Sequence, residues 1–150
     1  MSTFFAFLHH AAAFALVGAL AVELVLVRAQ LDSATMRKLV RTDMVVGISA
    51  GVVLLVGLAR VFHFEKGSGY YFHSGPFIGK LSMFLVVALL SIYPTITFLS
   101  WARVLKRGQM PNVHAATQRL LRRLIHAELA GVVLILLFAA MMARGVGFFG

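Results

Sequence analysis

Four stretches of about twenty mostly apolar residues, 4–27, 43–62, 77–101 and 124–143, occupy most of this 150-residue chain, and as a helix each is long enough to cross a hydrocarbon layer about 30 Å thick. Inside lipid, backbone N–H and C=O groups must be satisfied within the protein, which selects helices for spans of this length. With 61% hydrophobic and 13% charged residues and a mean hydropathy of +0.93, the chain has too little polar surface to fold as a soluble domain. The expected fold is all-α, a single integral membrane bundle of four transmembrane helices over 1–150.

A net charge of +9 and a pI near 11.2 would suggest nucleic acid as the partner of a soluble protein. Here the placement of the charges argues otherwise. Ten of the fourteen Lys and Arg residues, Arg28, Arg37, Lys38, Arg41, Arg103, Lys106, Arg107, Arg119, Arg122 and Arg123, fall in or beside the connections after the first and third spans. By the positive-inside bias that side is cytoplasmic, so both termini and the 60–79 segment are expected on the non-cytoplasmic side of a bacterial inner membrane. The absence of cysteine excludes disulfides, iron–sulfur clusters and thiolate ligation. The first apolar stretch has no basic leader and contains Glu23, so it reads as a retained helix and not a signal peptide.

Along the chain, Asp32 and Ser33 offer a helix cap before the second span. Gly108 and Pro111 break the connection after the third, and 113–123 reads as a basic helix running into the fourth. The pentapeptides 39–43 (Leu-Val-Arg-Thr-Asp) and 124–128 (Leu-Ile-His-Ala-Glu) suggest a two-span repeat whose halves run parallel. Gly47 and Gly51 form a GxxxG, and Ala12, Ala13, Gly18 and Ala19 are small enough for close helix approach. Pro94 should kink the third span, with Ser91, Thr95 and Thr97 available to satisfy the freed backbone groups.

Ionisable residues at membrane depth are costly and default to a functional reading. They fall into two layers. The outer one collects His9, His10, Arg60, His63 and Lys80, with His73 nearby; the inner one collects Glu23, Asp43, His126 and Glu128. His9 and Glu23 lie about 40° short of four full turns apart and roughly 21 Å along the axis. They therefore share a face with Ala12 and Ala13, and His9 should point inward while His10 points elsewhere. Neutral imidazole is a good axial ligand for haem iron, and Lys or Arg near the interface suits its propionates. The inner acids fit either a proton relay or cation site, or structural pairs with Arg41, Arg122 or Arg123. Pairing is the preferred reading, and under it neutral replacement of Glu23 or Glu128 should destabilise the fold.

The runs Leu8-His9-His10 followed by Glu23, Arg60 through Gly67, and Lys80-Leu81 leading to 91–98 (Ser-Ile-Tyr-Pro-Thr-Ile-Thr-Phe) resemble a family of four-span bacterial membrane proteins filed as a domain of unknown function. More distantly, Leu8-His9, Lys80 and Glu128 resemble the CopD-like superfamily, which includes the copper-resistance membrane protein and the HemJ-type protoporphyrinogen oxidase. Ala127 stands where the HemJ type has asparagine, its first-span tryptophan and proline–arginine features are missing, and spacing in the second span differs. The HemJ resemblance implies a b-type haem on His9.

The leading expectation is a haem b protein with its cofactor in the outer half of the bundle. His9 would hold the iron, His10 or His63 would be an alternative or second ligand, and Lys80 and Arg60 would meet the propionates. Such a protein could serve as a membrane oxidoreductase. The alternatives are a non-enzymatic metal-handling or transport protein and a structural subunit of a membrane complex. Expected partners are membrane lipid, a quinone or porphyrin-like lipophilic substrate and further copies of the chain, with no nucleic acid.

Overall fold

The computed structural model describes residues 2–59 and 75–144. Four helices account for nearly all of them: α1 (Ser2–Arg28), α2 (Ser33–Ala59), α3 (Gly75–Lys106) and α4 (Ala115–Ala143), with no strand among the described residues. All four are long and apolar enough to cross a membrane.

The connections are built from ordinary capping chemistry. Asp32 Oδ1 accepts the Thr35 backbone N–H at 2.7 Å, capping α2, and hydrogen bonding from Thr35 holds the exposed Asp32 carboxyl below the usual carboxylate range. At the end of α3, Gly108 takes φ +73°. The Gln109 N–H then reaches the Val104 carbonyl (3.3 Å) and the Gly108 N–H that of Leu105 (3.1 Å), a Schellman turn that needs glycine at its left-handed position. The Gln118 side-chain amide donates to the carbonyls of Val27 (2.8 Å) and Ala29 (3.3 Å), satisfying acceptors left over at the end of α1. This bond also places both connections at one end of the bundle, so the ten Lys and Arg counted above gather towards that end, all exposed.

The hairpins α1–α2 and α3–α4 pack most extensively, and α1–α4 with α2–α3 close the ring. Buried positions recur at intervals of three and four, as in Met36, Leu39, Asp43, Val46, Ser49, Val53 and Val56 of α2, the spacing of a bundle seam. The outward faces are apolar too: Phe14, Leu55, Ile96 and Val133 are each more than half exposed. At most a third of any span is buried within the chain, and an apolar surface of this extent belongs against lipid.

Close approach is set by glycines other than the GxxxG pair. A Cβ on Gly131 would lie 2.5 Å from Val87 Cγ2, where it does not fit without a shift, and one on Gly79 would press on the Phe138 ring at 3.1 Å, so α3 and α4 approach closely at both glycines. Gly57 likewise leaves room for the His9 ring, whose Cε1 would be 3.2 Å from an added Cβ. Around Gly18, Gly47 and Gly51 the space is open. The GxxxG motif therefore makes no close contact among the described residues.

Candidate functional site

Each of the four helices brings one polar side chain to the same level of the interior. Glu23 on α1 and Glu128 on α4 are each only 1% exposed, and Asp43 on α2 is 8% exposed. Thr95 on α3 donates its hydroxyl to Asp43 Oδ1 at 2.8 Å. Glu23 lies within electrostatic reach of both Asp43 and Glu128, and Glu128 within reach of Asp43. The periodicity that buries Leu20 and Leu24 buries Glu23 between them, and Leu39 and Val46 do the same for Asp43.

Apolar side chains close the layer on both sides. Towards the basic end stand Leu24, Val27, Leu39, Phe98, Trp101 and Ile125. On the other side stand Leu16, Leu20, Val46, Val87, Val132 and Ile135. Within this enclosure the Oε1 atoms of Glu23 and Glu128 are buried with no hydrogen-bond partner among the described residues. Buried polar atoms are nearly always satisfied, and unpaired carboxyl oxygens at membrane depth are more costly still. Two such atoms lie in this one layer.

The expected ion pairs do not form. Arg41, Arg122 and Arg123 are exposed, and the side-chain hydrogen bond made to this layer among the described residues comes from the Thr95 hydroxyl to Asp43. His126 does not join the layer either. It is exposed, and the Arg28 guanidinium donates to its Nδ1 at 3.4 Å. Two residues along a helix turn it about 200° away from Glu128. Thr95, read from sequence as a group that repairs the backbone beside Pro94, instead serves Asp43, while Ser91 and Thr97 hydroxyls bond to the carbonyls of Ala88 (2.9 Å) and Tyr93 (2.8 Å).

In the half of the bundle away from the basic end, His9 and Lys80 line one cavity together with Ala13, Val53, Phe84 and Ile135. His10 faces away, exposed, with its ring nitrogen 2.6 Å from the Ala6 carbonyl. Arg60, His63 and His73 lie outside the described residues. The cavity measures about 50 Å³, room for a few water molecules, whereas pockets for ligands approaching haem in size run to roughly 300–1,000 Å³. The described residues therefore bring the expected ligand and cation together but do not enclose a porphyrin. Among them, no three His, Asp or Glu side chains converge in a way that would hold a metal ion.

Four apolar helices closing on a shared interior define a four-span integral membrane protein. The chain belongs to the family described as "Predicted membrane protein (DUF2214)", whose model matches residues 1–147. No curated protein and no solved structure matches it.

Proposed function

We propose that this is a proton-handling membrane transport protein in which Glu23, Asp43 and Glu128 take up and release the proton. The observation that carries this reading is the pair of buried, unpartnered Oε1 atoms on Glu23 and Glu128. Three carboxyls in an apolar enclosure need countercharge, and no basic side chain reaches them among the described residues. A hard metal ion requires several oxygens converging at bonding distance, which these residues do not supply. A proton needs one oxygen. Thr95 positions Asp43, and the free oxygens of Glu23 and Glu128 are the acceptors. The basic end is assigned to the cytoplasm.

The second reading, haem b on His9 with Lys80 at a propionate, has one supporting observation, the convergence of both residues on one cavity. It requires several times the space present there.

A hydrophobic carbodiimide, which adds to protonated carboxyls in apolar surroundings, tests the proton site. Purified wild-type protein should take up reagent at Glu23 or Glu128, by intact mass and peptide mapping, with the yield falling as pH rises. Glu23→Gln/Glu128→Gln should lose that adduct. Wild-type protein that acquires no adduct at either position would reject the reading.

A further inference from the structure

We infer that an anionic phospholipid docks on the outer face of the α1–α4 pair, its phosphate on Arg28, Arg119, Arg122 and Arg123 and an acyl chain along the apolar surface beneath them. This site is independent of the carboxyl layer. Arg119, Arg122, Arg123 and His126 follow one another at intervals of three, one and three residues, so they form a single stripe on α4, and all four are exposed. The contact of Arg28 with His126 at 3.4 Å brings α1's terminal cation to the same stripe.

Among the described residues no acid is paired with this cluster. Of the acids among the described residues, Glu23, Asp43 and Glu128 are buried in the interior, and Asp32 is committed to capping α2. Like charges placed this closely are stabilised by an anion from outside. The stripe continues towards the bundle centre as Ala130, Val133 and Leu137, all exposed, and on α1 Val25 lies one turn below Arg28, 67% exposed. Cations at the end of the spans with an apolar wall directly beneath match a phospholipid, headgroup above and chain below. A free anion would use the cations alone.

Native mass spectrometry of the full chain, released from detergent supplemented with equal amounts of phosphatidylglycerol and phosphatidylcholine, reads the site. Wild-type protein should retain phosphatidylglycerol in preference to phosphatidylcholine. Arg122→Gln/Arg123→Gln should weaken that retention by about fivefold per arginine. Arg37→Gln/Lys38→Gln, the same charge change on α2, should leave it unchanged. An equal loss in the α2 pair would replace the site with a diffuse basic surface and overturn the inference. Equal retention of the two lipids, or glycerol phosphate competing as well as the intact lipid, would also overturn it.

Discussion

Replacing Glu23 and Glu128 together with glutamine should raise the thermal unfolding midpoint in detergent by several degrees. A carboxylate paired with arginine would give the opposite sign, because removing it strands the partner's charge. No such partner exists among the described residues, and the Oε1 atoms of both groups are unsatisfied in an apolar enclosure. Amide replacements keep the volume and remove the ionisable group, for a gain on the order of 1–3 kcal/mol per site. Asp43→Asn should change stability less, since the amide carbonyl still accepts from the Thr95 hydroxyl. A fall in the midpoint for both single glutamine variants would show that the acids are paired after all.

Phe98→Ala should produce the largest loss. Phe98 is 0% exposed and the largest fully buried side chain among the described residues. Its ring centroid lies 5.4 Å from that of Trp101, the planes tilted by 55°, and together they cover the carboxyl layer from the basic end. Truncation removes contact area and leaves a void, at about 3–5 kcal/mol. A void beside polar groups fills with water, so the layer should become accessible to a water-soluble carbodiimide that does not reach it in the wild type. Ile96→Ala, at a position 62% exposed to lipid, is the control and should change neither reading. Equal effects of the two substitutions would contradict the packing described for α3.

The four spans were legible because the bilayer imposes a length and a composition that few other folds satisfy. Glu23, Asp43 and Glu128 were legible as interior residues for a related reason: at membrane depth a carboxyl has nowhere else to go. Their partners were harder to read. Proximity along the chain suggested His126 for the layer and Arg41, Arg122 and Arg123 as counterions. Yet Arg41 and Asp43, like His126 and Glu128, are two residues apart and point to nearly opposite sides of their helices, so helical arithmetic applied to each pair would have excluded them. Thr95 could not be found this way, because its bond to Asp43 depends on how α3 sits against α2. The glycines show the same limit. A GxxxG marks small residues without saying which neighbour they face, and the glycines that do meet a neighbour closely, at positions 57, 79 and 131, carry no motif. Away from the basic end, His9 and Lys80 do share a cavity, but volume is set by packing, and no periodicity in the sequence discloses that the space is small.

Proton movement in sealed proteoliposomes decides whether the carboxyl layer works as a proton site. With a pH-sensitive dye trapped inside and a potassium diffusion potential imposed, negative inside, wild-type protein should acidify the lumen faster than protein-free vesicles do. Glu23→Gln/Glu128→Gln, which should be at least as stable as the wild type, should return the rate to the protein-free value. A wild-type rate no greater than that of empty vesicles, or a double variant as fast as the wild type, would contradict a proton-handling role for these residues.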